Sequence, residues 1–328
     1  MDNKEIYKRT IGFSLRRILW DILAFIILIG FSALGFVLMD KFAGEGLIGL
    51  GIGVIVGAVV VAILLRYVSY TYKAGQIAMM TKGVTEGKLP DDVIGAGKKI
   101  VKERFGTVAA YFALTNVIRG IFDQIGRGIT AVGQAIGGDT GNAVGSTISS
   151  AIRTIVAYLC DCCLGWVFYR KDEKATKATL EGAVLFFKHG KTLAKNLGRV
   201  FGIGLISFVI IGGVFGGGAY LIMSQTGTET FSEMSAKIAE TYAEKGEEIP
   251  DLLREPGTIM IVCSAIIGLF AWAAIHSGFI RPFVLVGVLR NYIESGIKDG
   301  APDAKTIAEL DKKSAKFKKL HEKVEAGE

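Results

Sequence analysis

Apolar positions along this chain gather into long runs. Four of them reach the ~20 residues a helix needs to cross a bilayer: about 18–39, 47–65, 200–223 and 258–280. A fifth run, Ile148–Tyr169, has the length but carries Arg153 and Asp161. A sixth, Gly106–Ile118, is short unless it continues through Arg119, Asp123 and Arg127. Those three fall four apart, so they line one helix face and can pair. The pattern predicts an all-α polytopic integral membrane protein, with two two-span units flanking a central membrane-entering helical hairpin at about 106–169. The glycine-rich stretch Gly137–Gly145 is the expected hairpin tip. An amphipathic helix lying at the inner interface is the alternative for this region. The parts expected are a lead-in at 1–17, a membrane domain at 18–304 and a solvated basic helix at 305–328.

Charge orients these segments. The stretches 1–17, 66–104 and 170–199 are rich in Lys and Arg; the second and third carry only four and three acids. The 224–257 loop is acidic, with eight carboxylates against Lys237, Lys245 and Arg254, and a helix is expected from about Phe231 to Lys245. The positive-inside rule then puts both termini in the cytoplasm and 224–257 outside, in a multi-pass protein of the cell membrane. The first apolar run is span-length and lacks a small-residue cleavage site, so it reads as a retained helix. The net charge of +7 is mostly this orientation signal, and no motif points to nucleic acid.

Two stretches share a pattern. Gly46 matches Gly257, Gly57 matches Gly268, Gly87 matches Gly296, and Pro90-Asp91 matches Pro302-Asp303. A parallel repeat of this kind suggests two similar bundles related by an axis along the membrane normal, as in some transporters. Within the first copy, Gly49, Gly53 and Gly57 share a helix face that would let another backbone approach closely.

Ionisable groups inside apolar segments are costly and mark cavities or partners. Asp161 is the leading candidate, as counter-charge to a cationic substrate or as a proton carrier; a structural network with Arg153 and Asp123 is the other reading. His276 near the inner end of the last span suits proton coupling, or it is a packing histidine. Aromatic faces attract quaternary ammonium ions. Tyr158, Trp166, Phe168, Tyr169 and Trp272 could wall such a site, or anchor span ends at the interface. Cys160, Cys162 and Cys163 lack a histidine or a second cysteine pair nearby, so no tetrahedral metal site is expected. No cofactor is expected, and GAGKK at 95–99 fails the phosphate-loop spacing. No nucleophile elbow or catalytic carboxylate pair is present, so the chain does not read as an enzyme.

Four segments resemble the choline transporter-like family of membrane proteins. They are GTVAAYFALTNVIRGI at 106–121, CDCCLGW at 160–166, ATLEGAVLFFKHGKTLAKNLGRVFGI ending at Ile203, and LFAWAAIHSGF at 269–279 with KDGAPD at 298–303. Lys298 stands where that family has Asn, and the chain has fewer spans, so it would be a reduced relative. The resemblance implies a transporter core, with choline or another small organic cation as substrate. An oligomeric channel and a non-transporting membrane scaffold are the rival expectations. The partners expected are the lipid bilayer, a small-molecule cation and a second copy of the chain.

Overall fold

The computed structural model describes residues 1–137, 156–245, 249–250, 255–300 and 302–327, with backbone alone at 125–137, 190–201 and 245. The described residues are helical, with no strand among them. Most of the hairpin tip, Arg153, and residues 246–248 and 251–254 of the acidic loop lie outside the described residues. The helices are α1 (Asn3–Ala43), α2 (Gly46–Val68), α3 (Ala74–Glu86), α4 (Val93–Phe105), α5 (Val108–Gly137), α6 (Val156–Tyr169), α7 (Ala175–Ser207), α8 (Gly213–Thr226), α9 (Thr228–Lys245), α10 (Pro256–Ile275), α11 (Arg281–Asp299), α12 (Ala304–Lys313) and α13 (Ala315–Glu325). Three π-helical turns, Ser69–Lys73, Phe208–Gly212 and His276–Ile280, join α2 to α3, α7 to α8 and α10 to α11.

Contacts divide the chain into two compact units. The span unit is Ile18–Leu65 with Gly202–Gly278, and all four span-length apolar segments fall in it. The chain is therefore an all-α polytopic membrane protein. Its spans are paired by glycine. A Cβ on Gly49 would lie 2.1 Å from the Gly35 carbonyl oxygen, and one on Gly53 would lie 2.2 Å from that of Phe31. In the other hairpin a Cβ on Gly268 would lie 2.6 Å from the Gly212 oxygen and 3.0 Å from Gly216 Cα. Backbones this close forgo side chains and gain van der Waals contact, which drives helix pairing where water is absent. Phe25 stacks on Phe270 at 4.3 Å, joining α1 to α10. The opposite faces are apolar and open: Leu19, Ile26, Ile55, Ile63, Val209, Leu221, Ile222 and Ile261 are each more than half exposed. Such a surface is tolerable only in a lipid environment.

The packed unit is Met1–Arg17, Arg66–Phe201 and Phe279–Glu328. It has a conventional buried core in which α6 is central. Tyr158, Leu159, Cys162, Cys163, Leu164, Trp166 and Val167 are all buried, packed against Ile77 and Met80 of α3, Ile118 and Phe122 of α5, and Leu289 and Ile293 of α11. The described part of the run that suggested a returning membrane arm, residues 156–169, is thus enclosed by protein, while α4 and α5 meet at a 78° bend, the form of a broken span or a re-entrant loop. The grouping differs from the single 18–304 membrane domain expected: both described arms of the central hairpin share a unit with the two termini.

The C-terminal segment also differs from the solvated helix expected. Ser314 ends α12, caps α13 by accepting from Phe317 N, and donates to Gln124 Oε1 at 2.6 Å. Leu310, Phe317 and Leu320 are buried. The break at Ser314 makes two short helices of this segment, each with its own apolar edge.

The repeat is visible in the packed unit with one shift of register. After α3, Gly87 turns left-handed (φ 68°) and Asp92 caps α4 by accepting from Gly95 N. After α11, Gly300 turns left-handed (φ 72°) and Asp303 caps α12 by accepting from Thr306 N. A left-handed glycine and an N-cap aspartate thus close the two copies in the same order. Gly296, the glycine expected to match Gly87, instead lies inside α11 beneath Trp166.

Candidate functional site

The π turn Ser69–Lys73 ends on a lysine, and the π turn His276–Ile280 is followed by Arg281. A π turn holds more residues than an α turn, so it re-aims the helix face that follows, and such turns often mark functional positions. Pro282 is accommodated in the first turn of α11, where its missing N–H costs nothing. Both basic side chains reach the same carboxylate. Lys73 Nζ lies 2.6 Å from Asp161 Oδ1, and an Arg281 terminal nitrogen lies 2.5 Å from Oδ2. The same guanidinium nitrogen donates to the Ala157 carbonyl at 3.1 Å, and the group lies over the Tyr158 ring at 5.3 Å.

Asp161 is 3% exposed, while the Lys73 and Arg281 side chains are 23% and 25% exposed. The helix that carries it is outside the four span-length segments. Burial alone would push this carboxyl up; Arg281 and Lys73 outweigh burial and hold it below the usual carboxylate range. Two cations on one anion leave the cluster with an excess positive charge.

The aromatic candidates fall into separate places. Tyr158 is 1% exposed, its ring covered by Arg281. Trp166 is buried, donates from its indole nitrogen to Glu181 at 3.1 Å, and tilts against Tyr169 at 5.1 Å. Arg170 holds the same Glu181 oxygen at 2.9 Å. Phe168 packs edge-on against Phe105. Trp272 and His276 belong to the span unit, where they share Ser207. Ser207 Oγ donates to the Gly204 carbonyl at 2.8 Å and accepts from the Trp272 indole at 3.2 Å. His276 Nδ1 lies 3.3 Å from the same oxygen, and its ring lies 5.3 Å from that of Trp272. The structure thus brings Asp161 together with Tyr158, Trp166 with Tyr169, and Trp272 with His276. It does not gather them into one cage within either unit.

Asp161 takes Lys73 and Arg281 as its partners; the alternative of a network through Arg153 falls on a residue outside the described set. Cys162 and Cys163 are buried and Cys160 half-buried. Among the described residues no group of His, Cys, Asp and Glu is arranged to hold a metal. Lys73, Arg281, Glu181 and Ser207 were not singled out in the sequence. A signal for the first two was faint: each is a basic residue shortly after the long apolar helix of its repeat, and in the first repeat Arg66 comes before Lys73.

No family model, no curated protein and no solved structure matches the chain. The four segments that carry the resemblance to the choline transporter-like family fall on α5, α6, α7, and α10 to α11.

Proposed function

We propose that the protein is a small-solute transporter built on two repeats whose exit helices share one carboxylate. The observation that supports this reading is the double claim on Asp161: Lys73 follows the apolar helix of the first repeat, Arg281 that of the second, and each holds one oxygen. Transporters with parallel repeats place their working site where the repeats meet. Two cations on one carboxylate also make an element with discrete alternatives, since a proton on Asp161 would loosen both and a competing solute could draw one away. Packed elements switch between such arrangements rather than deforming gradually.

Choline is the first candidate substrate only through the family resemblance. As a third cation it would have to displace Lys73 or Arg281 from Asp161, and the buried Trp166 and Tyr158 present no open ring. The test is flux into proteoliposomes against empty liposomes, with radiolabelled choline and radiolabelled phosphate as separate probes. Saturable uptake of either, reduced in Lys73→Gln, is the expected result. Folded protein that moves neither, in either direction and with or without a proton gradient, would sink the transporter reading. A non-transporting membrane scaffold is the second reading, favoured by the filled core around α6. It expects no flux, and loss of a bound partner on charge reversal of the basic segments.

A further inference from the structure

From the Lys73–Asp161–Arg281 cluster we infer a binding site for a phosphate-bearing anion. The charges on the page point that way. Asp161 neutralises one of its two cations, and the remainder is a positive charge held in a largely desolvated place, where an uncompensated ion is costly. Arg17 adds its charge to Lys73 and Tyr111, and Arg119 adds its own to Tyr111 and Cys160. Asp123 opposes Arg119 at Cys160.

Donors remain unspent as well. Lys73 has three N–H bonds and gives one to Asp161. Arg281 Nε has no hydrogen-bond partner among the described residues, and neither has the hydroxyl of Tyr158, whose ring it covers. Lys73 and Arg281 keep about a quarter of their side-chain surface open, whereas Arg281 Nε and the Tyr158 hydroxyl are enclosed, so an anion would meet the pair from that open side. A guanidinium and an ammonium side by side match the several acceptor oxygens of a phosphate group better than they match a spherical anion. Both residues follow a span-length apolar helix through a π turn; an anionic lipid headgroup and free phosphate offer them the same chemistry. The inference concerns binding alone and stands whether or not the protein moves a solute.

The test uses the full-length protein and reads its thermal unfolding midpoint. In detergent it is titrated with inorganic phosphate against chloride at equal ionic strength. In nanodiscs it is compared between phosphatidylglycerol and phosphatidylcholine. A ligand that binds only the folded state raises the midpoint by mass action. Lys73→Gln leaves the Arg281–Asp161 pair intact and cancels the excess charge, so it should weaken binding roughly tenfold or more, and Lys73→Arg should restore it. A rise with phosphate alone assigns a free anion, and a rise with phosphatidylglycerol alone assigns a lipid headgroup; both support the site. No rise with either probe, or a rise undiminished in Lys73→Gln, overturns it.

Discussion

Gly296 lies beneath the indole of Trp166: a Cβ added there would come within 2.4 Å of Cζ3. The ring is fixed from its other side by the bond to Glu181, so it cannot step away without leaving a buried carboxylate short of a donor. Gly296→Ala should therefore destabilise the packed unit by ~1–3 kcal/mol, the range for overpacking a core. Gly287→Ala in the same helix, where a Cβ would meet only Asn3 Nδ2 at 3.6 Å, should be close to neutral. Chemical denaturation of the two variants in detergent checks the contrast.

The two partners of Asp161 differ in what their loss leaves behind. Lys73→Gln leaves a paired Arg281 and should be mild. Asp161→Asn leaves two cations facing each other in a buried site and should cost ~3–5 kcal/mol, as breaking a buried pair does. Equal unfolding midpoints for these two variants would refute the ordering.

Acid should act through the same carboxylate. The Asp161 carboxyl is depressed in the folded protein, so its contribution is complete above the unfolded carboxylate range and is lost as pH falls through the depressed value. The wild-type stability advantage over Asp161→Asn should accordingly shrink as pH drops below ~4. Midpoints measured across that window should converge toward the acid end; a constant difference would place the effect elsewhere.

In the span unit the glycines separate by position. Gly53 and Gly268 face backbone on the opposite helix, whereas a Cβ on Gly30 or Gly217 would meet nothing within 4 Å. Gly53→Val and Gly268→Val should force their hairpins apart and lower the yield of folded protein in detergent. Gly30→Val and Gly217→Val should leave it unchanged. Comparing monodisperse yields on size exclusion decides this.

Much of the span unit was legible because lipid imposes one simple demand, a run of apolar residues of fixed length, and the runs at 18–39, 47–65, 200–223 and 258–280 meet it. The Gly49, Gly53, Gly57 spacing likewise read correctly as a close-approach face. The packed unit was harder. A helix enclosed by protein and a helix enclosed by lipid are both apolar on every side, so α6 carried no local mark of which it was. Asp161 stood out because a carboxylate in such a run demands a partner. Its partners could not be named from their spacing to it, since Lys73 and Arg281 lie far along the chain and are aimed by π turns that a 3.6-residue period does not anticipate. The C-terminal break at Ser314 was hidden for a related reason: a capping serine inside a lysine-rich stretch looks like one more solvated residue.

The packed unit is assembled from the beginning, the middle and the end of the chain, and Leu310, Phe317 and Leu320 complete its core. During synthesis those residues leave the ribosome after all four apolar helices have been made. The strip with Ile6 and Phe13 finds partners sooner, in Gly75, Met79 and Gly83 of α3 and Val93 of α4, once the first apolar hairpin has been made. Truncation before Leu310 should then yield a chain that inserts in the bilayer yet is rapidly degraded, a quality-control signature that pulse-chase labelling would register.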